Sequence, residues 1–310
     1  MKILFLGAGA IGGYFGGRLL QAGRDVTFLV RPGRAAALAE RGLTIQSRLG
    51  NVHLPNPPMV TDGDSAQPFD LIILSCKAYD LESAIDSIAA WVGPNTAILP
   101  LLNGMKHLEA LAERFGGRVL GGLCVISAAL DASGGVLHFN DLHSLTYGEL
   151  DGSRSPRVAA IEAAFSQAGF DVALSEQIRQ EMWEKWIFIA SAAGITCLMR
   201  ASIGDIVAVG GADLAIGLLN ECAAIATNEG FPPRPAFMER ARATLSAPGS
   251  ALTASMLRDI ETGGRVEGEP ILGDLLSRAR PSQAPNLLRL AYLHVRAYEA
   301  RRERSDKAAK

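Results

Sequence analysis

The chain has 310 residues, 48% of them hydrophobic and 20% charged, with a net charge of −2; that length suggests two domains. So balanced a charge gives no electrostatic reason to bind nucleic acid or an anionic membrane. Glycine, at 33 residues, exceeds its usual share of about 7%, but with no three-residue period and only 15 prolines neither a collagen helix nor low-complexity disorder fits.

Residues 2–6 read as a short buried strand. A glycine-rich turn follows, then a helical pattern of Ile11, Phe15, Leu19 and Leu20 that Gly23 closes. Residues 26–30 form a second apolar strand, and the alanine-rich residues 34–41 a helix. Asp70–Ser75 and Thr96–Leu101 read as further buried strands, with a helix near 80–92 between them. Strands alternating with helices predict βαβ units and a parallel sheet. Over 119–148 the pattern changes to strand-like runs joined by Gly134-Gly135 and Asp141, an antiparallel edge to the same domain. Helical periodicity then takes over at 177–199, 205–229, 236–246, 252–261 and 270–303. The expected fold class is α/β plus all-α, with a nucleotide-binding domain over 1–176 and a helical domain over 177–310. The mixed-charge tail from Arg296 to Lys310 reads as a solvated, frayed helix end.

The apolar N-terminus is no export signal, because seven glycines precede residue 24 and Arg18, Arg24 and Asp25 interrupt the run. No window reaches ~18 uncharged apolar residues, so no membrane span and a cytoplasmic location are expected. Cys76, Cys124, Cys197 and Cys222 match no C-x-x-C or zinc spacing and read as small buried hydrophobes. His138 and His143 are the nearest pair of histidines, and no metal site is expected there.

Gly7-Ala8-Gly9-Ala10-Ile11-Gly12 fits G-x-G-x-x-G between a predicted strand and a predicted helix, the context this motif requires. Gly7 makes the tight turn, Gly9 admits the pyrophosphate and Gly12 lets helix approach strand. The helix N-terminus then offers its N–H groups to phosphate. An NAD site usually carries an acidic residue about 20 positions on, at the end of the second strand. Here Arg31 stands there, and a planar guanidinium suits a 2′-phosphate. The expected cofactor is therefore NADP(H), with Arg34 a second candidate; the plain alternative is a solvated arginine in a surface loop.

These motifs are followed, in order, by Ser75-Cys76-Lys77-Ala78, Leu102-Asn103-Gly104, Trp183-Glu184-Lys185, Ser255-Met256-Leu257-Arg258-Asp259 and Glu267. Together they resemble the ketopantoate reductase (2-dehydropantoate 2-reductase) family over nearly the whole chain. The resemblance implies a Rossmann domain, a helical domain similar to that of 6-phosphogluconate dehydrogenase, and an active site in the cleft between them. Carried over by position, Lys185 is the proton donor and Asn103 touches both nicotinamide and substrate. Lys77 binds cofactor, Ser255 binds substrate, Glu267 lies at the cofactor end and Ala128 gives a backbone contact to cofactor.

The chemistry agrees with these roles. Hydride arriving at a ketone carbon leaves an alkoxide, and a lysine ammonium stabilises that charge and donates its proton. General acid catalysis of this kind contributes about 10²–10⁴-fold. The plain reading of Lys185 is an i,i+4 surface pair with Glu181.

The sequence departs from the family where ketopantoate-type members carry asparagines four, eight and eighteen residues after the lysine. Here those positions hold Ile189, Ala193 and Ile203. Lys185, Ile189 and Ala193 share a helix face, which makes the wall beside the lysine apolar. Ser191, Thr196 and Ser202 are the nearby hydroxyls that could substitute.

The expected function is NADPH-dependent reduction of a small-molecule 2-oxo acid, with ketopantoate to pantoate in pantothenate biosynthesis as first candidate. Reduction of a more apolar 2-oxo acid, or NADP sensing without turnover, are the alternatives. The helical domain is the candidate for pairing two subunits in a homodimer.

Overall fold

Five apolar segments whose inward and outward faces are both covered form a parallel sheet, the arrangement that near-continuous hydrophobic strands require. The computed structural model describes residues 1–281 and 285–308. It divides into two compact units: residues 1–102 with 107–179, and residues 103–106 with 180–310.

In the first unit, β1 (Lys2–Leu6) is followed by α1 (Ala10–Gln21), β2 (Asp25–Leu29), α2 (Pro32–Arg41), β3 (Leu43–Gln46), β4 (Val52–Leu54) and β5 (Met59–Val60). Next come β6 (Phe69–Leu74), α3 (Leu81–Ala89), β7 (Val92–Pro100) and α4 (Lys106–Phe115). The unit ends with β8 (Gly121–Leu130), β9 (Val136–Gly148), α5 (Pro156–Phe165) and β10 (Asp171–Leu174). The main sheet has the order β5-β2-β1-β6-β7, and all its pairings are parallel.

The segment 119–148 touches that sheet through one parallel bridge, Val119 to Ile98, and otherwise supplies the antiparallel part expected of this unit. Its strands β8 and β9 belong to a second sheet with the order β10-β9-β3-β4, in which β8 lies antiparallel along β9. Asp141 marks no break in β9; it sits in the excursion where the register moves from Ile126↔His143 to Ala128↔His138.

Helix α1 lies between the two sheets, and its glycines explain how. A Cβ on Gly16 would meet the Phe28 ring at 2.6 Å, on the side of the main sheet. A Cβ on Gly17 would meet Ile45 at 2.8 Å, and one on Gly13 would meet Val136 at 3.0 Å, on the side of the second sheet. The glycine excess in this part of the chain is thus partly a packing device.

The second unit carries α6 (Ile178–Met199), which begins two residues before the division. It continues with α7 (Ile203–Ala208), α8 (Ala212–Asn228), α9 (Pro235–Leu245), α10 (Ser255–Glu261), α11 (Asp274–Ser277) and α12 (Asn286–Ala308). The periodic stretch 205–229 is two helices, because Gly210 adopts φ +86° between them. A π-helical turn at Glu269–Gly273 leads into α11. The expectation for 270–303 crosses residues 282–284, which lie outside the described residues, as do 309–310 of the tail. Up to Ala308 the tail is regular helix rather than frayed chain. Among the described residues no helix is long and apolar enough to cross a membrane. None of the four cysteines forms a disulfide among the described residues; three are buried and Cys76 is half-buried. Burial pushes the Cys197 and Cys222 thiols up to about 12, which leaves them protonated.

Candidate active site

The carboxyl ends of β1, β2 and β6 adjoin in the main sheet, and each carries one piece of the predicted nucleotide site. After β1, Gly7 turns the chain at φ +92°, and Gly9 precedes α1 with open space where a Cβ would point. Gly12 is tightly enclosed: a Cβ there would lie 2.2 Å from the Gly7 carbonyl oxygen and 2.3 Å from Ser75 Oγ. Ser75, just after β6, fastens the turn by donating to the Leu6 carbonyl at 3.1 Å. Ala10, Ile11 and Gly12 occupy the first helical turn, whose N–H groups have no intrahelical acceptors.

After β2, Arg31 precedes α2 with its guanidinium largely exposed and 3.2 Å from the Asp80 carboxylate. Asp80 follows β6 in the same turn as Lys77, whose carbonyl accepts the Asp80 N–H at 2.9 Å. Arg31, Lys77 and the glycine turn are therefore brought to one edge. Arg34 is differently placed from its predicted role. It donates from Nε and Nη2 to the Ala8 carbonyl, at 3.1 and 2.7 Å, and so braces the glycine turn itself. Ala128 stands half-buried on β8 opposite His138. It makes no hydrogen bond to the glycine turn among the described residues.

The second unit assembles the other residues around Trp183-Glu184-Lys185-Trp186 on α6. Trp183 stacks on Phe231 with ring centroids 5.4 Å apart. Glu184 is buried and receives a two-pronged ion pair from Arg234. Trp186 is buried, and its indole N–H donates to the Ile271 carbonyl at 2.9 Å. Lys185, between these anchors, is half-buried. It forms no hydrogen bond or ion pair among the described residues, with Glu181 or any other. A cation held among rigid neighbours with its own donors unspent is prepared for something outside the chain.

Asn103 and Glu267 join this neighbourhood. Gly104 has φ +80°, and a Cβ there would sit 2.6 Å from the Pro270 carbonyl oxygen, with Trp186 Nε1 3.9 Å away. The Ile271 N–H donates to the Glu267 carbonyl at 3.2 Å, and Glu267 is buried. Asn103 is half-buried with no hydrogen bond from its carboxamide among the described residues. Ser255 is attached further along α6: it begins α10 just after Ala254, whose N–H donates to Thr196 Oγ1 at 3.4 Å.

The hydroxyls considered as substitutes are already used. Ser191 and Thr196 are fully buried and donate to the Ile187 and Ala192 carbonyls at 2.7 and 2.6 Å. Ser202 caps α7 in a capping box with Asp205. Among the three apolar replacements, Ala193 and Ile203 are buried and only Ile189 keeps appreciable exposure.

One cluster escaped the sequence reading. His143 Nδ1 pairs with Tyr14 Oη at 2.8 Å, and His138 Nδ1 with Ser47 Oγ at 2.9 Å. The Tyr14 partner is on α1, far away in sequence, so no local pattern announced it.

Comparison with known proteins places the chain in a family. The model of ketopantoate reductase PanE/ApbA matches residues 3–152, and that of its C-terminal part matches residues 177–296. The chain belongs to the ketopantoate reductase family. It is 40% identical over 303 residues to the "Uncharacterized oxidoreductase YkpB" of Bacillus subtilis (strain 168), covering 97% of this chain and 99% of that protein. It is 32% identical over 284 residues to the 2-dehydropantoate 2-reductase of Pyrococcus horikoshii, covering 90% and 91% of the two chains. The crystal structure of 2-dehydropantoate 2-reductase from Methylococcus capsulatus superposes with a TM-score of 0.86 at 26% identity, over 97% of this chain and 98% of that one. D-mandelate dehydrogenase with NADH and anilino(oxo)acetate shares the fold, with a TM-score of 0.85 at 23% identity over 98% and 100% of the chains.

As a ketopantoate reductase family member the chain is an oxidoreductase that uses a nicotinamide cofactor. The residues present fit such a group. The space beside Gly9 is open, the first-turn amides of α1 have no intrahelical acceptors, and Arg31 and Lys77 add positive charge at the same edge.

Proposed function

We propose that the chain reduces a 2-oxo acid to the 2-hydroxy acid with NADPH, and that ketopantoate, giving pantoate, is its substrate. The observation that carries this reading is Lys185: its three neighbours are anchored by Phe231, Arg234 and Ile271, while its own ammonium has no partner among the described residues. When bound, the reduced nicotinamide supplies a hydride to the substrate's C2. Lys185 stabilises the alkoxide that forms and gives it a proton, which the amine regains from water. Asn103 orients the carbonyl and Ser255 takes a polar group of the substrate. Gly7–Gly12, with Ala8, Ala10 and Ile11 between the glycines, holds the pyrophosphate. Arg31 holds the 2′-phosphate, Lys77 binds the cofactor beside it, and Ala128 and Glu267 complete the cofactor's surroundings.

A specific observation supports a second reading, reduction of a more apolar 2-oxo acid. Ile189 lies one turn after Lys185 on α6, and Ser191, Thr196 and Ser202 have committed their hydroxyls elsewhere. A site lacking partners for a substrate hydroxyl gains little from one.

The test is NADPH oxidation with a panel of 2-oxo acids, run on the wild type and on Lys185→Met. Turnover with ketopantoate at the highest kcat/KM supports the first reading, and a preference for an apolar 2-oxo acid supports the second. Lys185→Met should lower kcat by at least about a hundredfold while nucleotide binding persists. Tight nucleotide binding with no oxidation of any 2-oxo acid would overturn the catalytic reading in favour of a sensor.

A further inference from the structure

We propose that Asp80 sets the cofactor preference of this chain by competing for Arg31. The inference rests on Arg31 being the 2′-phosphate ligand, as read above. Arg31 and Asp80 come from the turns after β2 and β6, the two strands that flank β1. Their charged groups meet at 3.2 Å, with 74% of the Arg31 side chain exposed and 29% of that of Asp80. Asp80 is held from both sides through its backbone: its N–H donates to Lys77, and its carbonyl accepts from Ser83 Oγ at 2.9 Å. The short Asp80 side chain on this anchored backbone is the less exposed member of the pair, and the long, exposed arginine the movable one.

A lone arginine at this edge would favour a 2′-phosphate strongly. A carboxylate on the same guanidinium cancels part of its charge and repels the dianion directly. It is also the group that accepts hydrogen bonds from the ribose hydroxyls of NAD. Arg31 and Asp80 together make a mixed site. Arg31 serves a 2′-phosphate when it turns from Asp80, and Asp80 serves a 2′-hydroxyl when no phosphate is present. The chain accordingly binds both NADPH and NADH, with a smaller preference for NADPH than the arginine alone would impose.

The experiment measures dissociation constants for NADPH and NADH by calorimetry on the full-length wild type, Asp80→Asn, Asp80→Ser and Arg31→Gln. Both Asp80 variants retain a residue type that caps helices, and melting curves check that they fold. Each should tighten NADPH by about tenfold and leave NADH unchanged or weaker, an effect that shrinks as salt rises because the pair is exposed. Arg31→Gln should weaken NADPH by at least tenfold with little change for NADH. If Arg31→Gln weakens NADPH but the NADPH-to-NADH ratio stays at the wild-type value in both Asp80 variants, the competition proposal is overturned and the reading of Arg31 stands. If Arg31→Gln leaves NADPH binding unchanged, the reading of Arg31 fails and the role of Asp80 falls with it.

Discussion

Arg234 closes its guanidinium fork on the Glu184 carboxylate, Nε to Oε1 at 2.8 Å and Nη2 to Oε2 at 2.6 Å, and its backbone N–H adds a third bond at 2.9 Å. The pair fastens the start of α9 to α6, one residue before Lys185. Removing the arginine leaves a buried carboxylate short of its partner, but the Arg234 side chain is 45% exposed, so screening reduces the cost below that of a fully buried pair. Arg234→Ala should cost about 1–2 kcal/mol by denaturant unfolding, since Gln180 and the backbone still bond Glu184. Its kcat should fall more than its nucleotide affinity, because the disturbance lies beside the lysine.

The same pair gives an acid limb to stability. Burial alone would push the Glu184 carboxyl up, but the bonds from Arg234 outweigh it and hold the group below its ordinary value of 4.5. A carboxyl depressed in the fold contributes stability above its unfolded pKa and loses it as pH falls through the folded value. Unfolding free energy should therefore decline below about pH 4.5, and Glu184→Gln should be less stable at neutral pH with a shallower decline.

Gly9 and Gly12 should fail differently when replaced by alanine. Gly12→Ala drives a methyl into the Gly7 carbonyl, a backbone atom that cannot step aside, and should destabilise the fold by roughly 1–3 kcal/mol or more. Gly9 has an ordinary φ of −78° and no neighbour within 4 Å of the new methyl. Gly9→Ala should leave the melting temperature nearly unchanged yet weaken nucleotide binding by tenfold or more, about 1.4 kcal/mol. Equal nucleotide affinity in Gly9→Ala would show that no phosphate approaches this turn.

Arg34 and Arg31 should also separate. Arg34 supports the Ala8 carbonyl with two charge-assisted bonds, a bracing role that serves either nucleotide. Arg34→Ala should weaken NADPH and NADH alike by about tenfold, the worth of such a bond. A loss confined to NADPH would return Arg34 to the role the sequence suggested.

The Tyr14–His143 contact predicts a second pH effect. Burial pulls the His143 pKa below its ordinary 6.5, Asp171 and Asp141 oppose this, and His138 and Arg18 reinforce it. A histidine kept neutral by the fold binds its proton more readily once unfolded. Stability should fall as pH drops below about 6.5, and His143→Gln should flatten the melting temperature between pH 7 and roughly 5.5.

The main sheet was legible in the sequence because doubly covered strands are continuous apolar runs, and α1 because its glycine motif sits at a strand–helix junction. The second sheet was not. β3 and β4 are four and three residues long, and their partner is distant: Ile45 pairs with Val136. The candidate catalytic lysine was found through the family pattern, since Glu181 gave it an innocent local explanation. Its anchors Phe231, Arg234 and Ile271, and the Asp80 partner of Arg31, are contacts between separate elements. No window of sequence contains them.

The four enclosed glycines of α1 have a thermodynamic consequence. Each costs a helix about 1 kcal/mol relative to alanine, so this helix has little tendency to form by itself. It exists because β1, β2, β3 and β9 close on it from two sides. The proposed phosphate-binding end cannot then persist in a partly unfolded chain. The hydrogen-bonded amides of α1, from Gly13 onward, should exchange only with global opening of the first unit, and a nucleotide should raise the melting temperature of that unit as a whole rather than order a loop within it.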